Sequence, residues 1–200
     1  MKKILGATLL TAVAGVAFVV SSAMAVDMKL PQKGEEFLGV DNAPVQIVEY
    51  ASATCGHCGD FHTKTLPEIK EKYIDTGKVK FVLRDLPWDN RAFAVSTIAR
   101  CSGDYYSFMS AFMSTQASWV ASKDFMGAIK QVARLGGMDG EKITECLSDE
   151  TITSKITEGR GVAEKLGVTG TPSFFINGEL HPGALTVKKM SDIIDAELAK

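Results

Sequence analysis

Apolar and polar positions along this chain follow two periods, and the order in which those periods appear sets the fold class. Val45-Gln46-Ile47-Val48-Glu49-Tyr50 is rich in β-branched residues and follows the turn-like Asp41-Asn42-Ala43-Pro44. A short run bounded this way predicts a buried strand. From about Cys55 to Tyr73 the apolar positions Phe61, Leu66, Ile69 and Tyr73 recur at helical spacing, with Pro67 expected to kink the helix. Asp75-Thr76-Gly77 then leads into a second strand over 78–83. A strand–helix–strand unit makes parallel neighbours in one sheet.

The middle of the chain reads as helices. Asp89 or Asn90 caps one that runs to about Cys101 and stops at Ser102-Gly103. Asp104 caps the next, whose apolar face is Tyr105, Phe108, Met109, Phe112 and Met113; that spacing is ordinary core packing. Ser122 precedes a third, with Phe125, Ile129 and Val132, closed by Gly136-Gly137. A short helix from about Asp139 to Leu147 follows, then a longer one carrying Ile152, Ile156, Val162 and Leu166 that ends at Gly167. The strand pattern returns at Pro172-Ser173-Phe174-Phe175-Ile176, and Asn177-Gly178 is a strong hairpin signal. Glu179-Leu180 begins the return strand, His181-Pro182-Gly183 breaks it, and a last amphipathic helix starts near Thr186. The final hairpin alone cannot bury its faces, so one sheet split by a helical insertion explains the order better than two separate domains.

The N-terminus adds an address. Lys2-Lys3, an apolar stretch from Ile4 to Val20 and the ending Ser21-Ser22-Ala23-Met24-Ala25 are the parts of a cleavable secretory signal. A cut after Ala25 leaves 200 − 25 = 175 residues; the alternative is an uncleaved membrane anchor. Residues 26–36 then form a loose polar arm. Losing Lys2 and Lys3 takes the formal charge from −2 to −4, which gives no footprint for nucleic acid. Cys55, Cys58, Cys101 and Cys146 all lie in the exported part, where disulfides persist.

Chemistry concentrates in Cys55-Gly56-His57-Cys58, at the junction of a strand and a helix. Two cysteines at this spacing close a small disulfide. The first sits at the helix N-terminus, where unpaired N–H groups and the helix dipole favour a thiolate. Protonated His57 adds positive charge beside the same sulfur, and Cys58, one turn inward, serves as the resolving thiol. Half of a zinc site is the competing reading, but no second cysteine or histidine pair stands at matching spacing, so neither metal nor organic cofactor is implied.

These features resemble the DsbA-like periplasmic thiol–disulfide oxidoreductases of the thioredoxin superfamily. The resemblance is carried by the Ile47–Tyr50 strand, the Cys55–Cys58 run, the helical insertion and Val168-Thr169-Gly170-Thr171-Pro172-Ser173-Phe174-Phe175-Ile176-Asn177-Gly178. It implies an α/β thioredoxin fold, with a thioredoxin-like domain over 37–89 and 150–200 and an inserted helical domain over 90–149 between the βαβ and ββα halves. It also implies a cis bond at Pro172, with the Thr171 backbone offered to substrate peptides as an added strand. Glu49 corresponds to a buried acid that takes the proton of Cys58; the other readings have it pointing outward or pairing with Arg84. His62 lies one turn beyond Cys58 and is read as lining the site or as a surface or packing residue.

Cys101 and Cys146, near the ends of two helices of the insertion, are paired as a structural disulfide, with a second redox centre or free thiols as alternatives. The activity implied is a dithiol oxidase, a monomer acting on exported unfolded polypeptides with cysteines, reoxidised by a quinone-linked membrane protein of DsbB type. A disulfide isomerase or reductase, a cytochrome-maturation reductase, a zinc module or a non-catalytic peptide-binding chaperone are the other readings. Gly56-His57 stands where the strongest oxidases carry Pro-His, which leaves the direction of exchange open.

Overall fold

The computed structural model describes residues 27–200, so the secretory signal read over residues 1–25 lies outside the described residues. The sheet order is β2-β1-β3-β4, with β1 (Val45–Ala51) parallel to β2 (Val79–Asp85) and antiparallel to β3 (Ser173–Ile176), which pairs with β4 (Glu179–Pro182). The βαβ unit, helices, then ββα follow the order expected from the sequence, and the fold is the thioredoxin fold with a helical insertion. Leu38 adds an isolated bridge to Phe81. Asn177 and Gly178 have φ of 45° and 85°, the left-handed pair that a two-residue hairpin turn requires. His181 and Pro182 do not break the return strand; β4 runs through both, as an edge strand tolerates proline, and turns at Gly183.

Strand alternation divides the sheet into two packed faces. Ile47, Phe81, Leu83, Phe174 and Ile176 point into a core shared with Phe61, Phe108, Met109, Trp119, Met190 and Ile194. Val48, Tyr50, Val82 and Phe175 point the other way, against Ala163 of α8 (Glu150–Lys165). The first core is continuous from the sheet through the insertion.

The first helix runs from 56 to 74 with two changes of winding. Its parts are α1 (Gly56–Asp60), a π-helical turn at Phe61–Thr65, α2 (Leu66–Ile69) and a second π-helical turn at Lys70–Ile74. The sequence predicts a kink at Pro67, and the chain meets it by widening the preceding turn. Leu66 N–H bonds the Phe61 carbonyl five residues back, and Pro67, with no N–H to give, opens the next segment.

Aspartates start the later helices. Asp89 accepts N–H bonds from Arg91 and Ala92 before α3 (Asn90–Cys101), and Asp104 accepts from Ser107 before α4 (Tyr105–Ser114). Asp124 caps α6 (Phe125–Leu135) through Gly127 N–H. Asp139 and Asp149 cap α7 (Gly140–Leu147) and α8. Each cap is worth about 1 kcal/mol. Between α4 and α6 lies a short helix absent from the sequence reading, α5 (Gln116–Trp119). Cys101 and Cys146 are joined, S–S 2.02 Å, and tie the end of α3 to α7. Thr186 caps α9 (Val187–Leu198). Among the described residues no helix is long and apolar enough to cross a membrane.

Candidate active site

The end of β1 delivers the chain to the site. After Ala51 the backbone turns, Cys55 N–H bonds the Ser52 carbonyl (3.0 Å), and Cys55 takes the N-cap position of α1 in extended conformation. No side chain caps this end, so the first backbone N–H groups stay free to face the Cys55 sulfur. Cys55 is half-buried, Cys58 is fully buried, and both are free thiols.

The surroundings drive the two thiols apart. A hydrogen bond from the Cys58 thiol does most to stabilise the Cys55 thiolate. Partial burial works against it, while the Thr171 hydroxyl and the N–H groups of Cys58 and His57 add to it, and the Cys55 pKa falls to about 5. Cys58 is pushed far above the thiol range because its hydrogen is held by Cys55, because it is buried, and because Glu49 is near. His57 itself is exposed and acts on Cys55 through its backbone N–H.

Thr171 closes the site from the loop that leads into β3, the strand beside β1. Its bond to Pro172 is cis, and its carbonyl lies 3.2 Å from Cys55 Sγ, which donates to it as a thiol. Trp88 Nε1 donates to Thr171 Oγ1 (3.1 Å), which leaves the hydroxyl hydrogen for the sulfur. The Trp88 ring is substantially exposed, with the Arg160 guanidinium 5.5 Å from its centroid.

The insertion also reaches in. Gln116 Nε2 donates to the carbonyls of Ala53 (2.7 Å) and Cys55 (2.9 Å) and so holds the loop before α1. Its Oε1 lies 2.6 Å from where a Cβ on Gly59 would stand, so glycine is required there unless Gln116 moves. Sequence reasoning missed Gln116 because its helix was not expected. Trp88 was missed because a lone aromatic after a strand carries no spacing signal.

Glu49 lies on the face of β1 that looks toward the active-site helix and is fully buried. Its Oε2 is 2.9 Å from His62 Nε2, and its Oε1 has no protein partner. Pairing with Arg84 does not occur. Arg84 stands opposite Tyr50 in the parallel register, on the other face, where it bonds Tyr50 Oη and Glu35. Among the described residues no group of three or more His, Cys, Asp or Glu side chains is placed to hold a metal ion.

This arrangement supplies a stabilised thiolate at the surface, a proton-holding thiol beneath it, and an acid within electrostatic reach of that thiol. The midpoint of the Cys55 thiolate absorbance on titrating the reduced protein is expected near pH 5, and Thr171→Val should move it upward. A midpoint in the ordinary thiol range would contradict the geometry. A pKa lowered from 9.0 to about 5 also means that folding releases a proton between those values. The reduced protein therefore gains stability over Cys55→Ser as pH rises from about 5 to about 9, and loses it as pH falls through about 5.

The chain matches the family described as Thioredoxin over residues 32–196. It is 37% identical over 145 residues to a putative protein-disulfide oxidoreductase of Rickettsia bellii, a match covering 70% of this chain and 56% of that one. The chain thus spans little more than half the length of that curated relative. The crystal structure of Wolbachia pipientis alpha-DsbA1 superposes with TM-score 0.79 at 33% identity, covering 85% of this chain and 94% of that one. A structure described as a protein-disulfide isomerase from Novosphingobium aromaticivorans superposes with TM-score 0.71 at 26% identity, covering 82% and 97%.

Proposed function

This chain belongs to the thioredoxin family and is closely related to its DsbA-type members, and on that premise we propose that it introduces disulfides into exported proteins by dithiol–disulfide exchange at Cys55 and Cys58. The observation that carries the oxidising direction is the Cys55 pKa of about 5. A thiolate stabilised to that degree is a good leaving group, and it favours the reduced form, which makes the disulfide form a better oxidant.

The reaction starts from the Cys55–Cys58 disulfide. A substrate thiolate attacks Cys55 Sγ, the Cys55–Cys58 bond breaks, and Cys58 leaves with the electron pair and takes a proton, for which Glu49 is the source. A second substrate thiolate then attacks the substrate sulfur of the mixed disulfide and expels Cys55 as thiolate. The substrate ends with one disulfide, two electrons rest on the cysteine pair, one proton is on Cys58 and one is released. Thr171 and Pro172 form the ledge against which the substrate backbone lies, and His57 borders the attacked sulfur. Cys101–Cys146 serves structure alone.

Export past the inner membrane, a monomeric state and reoxidation by a quinone-linked membrane protein of DsbB type complete the proposal. The name of the Novosphingobium relative supports one second reading, isomerase, in which Cys55 thiolate attacks a wrong disulfide and Cys58 releases it. The test is the reduction potential of the pair in glutathione buffers. A value near or above about −180 mV agrees with an oxidase or isomerase, and net disulfide formation in a reduced substrate separates them. A value near about −270 mV would make the protein a reductase and end the proposal.

A further inference from the structure

The exchange reaction requires a proton at Cys58, and both Cys58 and Glu49 are fully buried. A buried acid that gives up a proton at each turnover must regain it from water, and Glu49 has no direct exposure. His62 supplies the connection. Its Nε2 is 2.9 Å from Glu49 Oε2, and its side chain, 6% exposed, borders a groove of about 570 Å³ between the active-site helix and α4. Lys70, Tyr106, Ser107, Ser110 and Ser114 line the same groove.

The other titratable groups packed around the pair are already committed. Tyr106 reaches in from α4, but its one hydroxyl hydrogen is shared between the carbonyls of Glu36 (3.0 Å) and Phe81 (3.1 Å), and its oxygen accepts from Leu83 N–H (3.2 Å). Burial also raises its phenol beyond the range where it exchanges protons near neutrality. Lys70, at the groove, pairs with Asp75 at 2.5 Å. From the sheet, the register partners of Glu49 are Leu83 and Phe174, both apolar. His62 alone among these groups both touches Glu49 and faces the groove.

We infer that His62 is the proton-exchange partner of Glu49, the link through which the proton used at Cys58 passes between the buried site and water in the groove. The inference rests on the exchange reaction proposed above. When the Cys55–Cys58 disulfide is opened, Glu49 gives its proton to the departing Cys58 sulfur. In the same step His62 gives its Nε2 proton to Glu49 Oε2, so that no buried carboxylate is left behind, and takes another from groove water at its second ring nitrogen. On reoxidation the same proton leaves by the reverse path. Imidazole suits this role because each ring nitrogen can hold the proton in turn. His62 touches neither substrate nor either sulfur, so it acts through Glu49.

The test separates relay from scaffold. Glutamine at position 62 can still donate a hydrogen bond to Glu49 but cannot pass a proton through its amide. Oxidised wild type, His62→Gln and His62→Ala are mixed with a reduced dithiol peptide, and loss of the Cys55–Cys58 disulfide is followed by quenched-flow alkylation. Both variants are expected to open the disulfide more slowly, by roughly 10²-fold, the lower end of what a positioned acid–base group contributes. Alkylation of reduced Cys55, which needs no proton at Cys58, should keep its wild-type rate, and thermal unfolding checks that each variant is folded. Free imidazole should restore His62→Ala through the vacated groove and leave His62→Gln slow. Wild-type rates in His62→Gln, or no rescue of folded His62→Ala by imidazole, overturn the relay and leave the proposed reaction standing. If wild type itself fails to oxidise the peptide, the proposed function falls and this inference with it.

Discussion

Replacing Cys55 with serine is expected to cut the rate of dithiol oxidation by roughly 10³-fold or more, the scale on which loss of a nucleophile acts. The oxidising disulfide cannot form without it, so the chain loses the bond that the substrate attacks. The hydroxyl also lacks the thiolate that the Cys58 thiol, the Thr171 hydroxyl and two backbone N–H groups stabilise. Because Cys55 is only half-buried, at the margin of the core, and serine has nearly its shape, the variant should fold as wild type does. Cys58→Ser gives a different failure. Cys55 keeps its sulfur and captures substrate disulfides, and the mixed disulfide accumulates because nothing beneath it can displace the substrate. Mass spectrometry of the two variants after incubation with an oxidised peptide distinguishes them. A Cys55→Ser protein that still oxidises substrate would remove the pair from the chemistry.

The double variant Cys101→Ala/Cys146→Ala is expected to lose about 4 kcal/mol of stability, as the chain-entropy model gives for a bridge closing a separation of 45 residues. For a chain of this size that lowers Tm by roughly 10 °C. The loss belongs to the helical layer, because the bridge ties α3 to α7 while Cys55 and Cys58 are reached through β1 and α1. The reduction potential of the active pair should accordingly move little. An unchanged Tm in calorimetry would mean that packing of Ile98, Ile143 and Ala133 already fixes the layer without the bridge.

The fold was legible because its signals are local. β-branched residues from Val45 to Val48, the Asn177-Gly178 turn and aspartates ahead of apolar helical runs each act over a few positions. The cysteine pair was legible for the same reason, since its spacing is itself the chemistry. What escaped the sequence depends on distant segments meeting. Gln116 bonds the carbonyls of Ala53 and Cys55 across 63 and 61 positions, and Trp88 meets Thr171 across 83. Glu49 was recognised as an acid in an apolar strand, but its partner is set by which face of β1 meets the active-site helix. Parity decides this. Glu49 shares its face with Ile47 and meets His62, while Tyr50 and Arg84 fall on the other side. A one-residue change of register would have exchanged these roles.

The core that runs unbroken from the sheet into the insertion bears on how such a protein can be altered. An inserted segment invites the idea of a removable cassette, one that could be trimmed to leave a minimal enzyme. Here the cassette supplies one wall of the building. Phe108, Met109, Phe112 and Trp119 cover the side chains that β1, β2 and β3 turn toward them, and Gln116 braces the redox loop from the same layer. Excising residues 90–149 would bare an apolar face as well as free the loop. Loop and wall have to change together, and a designer seeking a smaller protein would need to repaint the sheet before removing the helices.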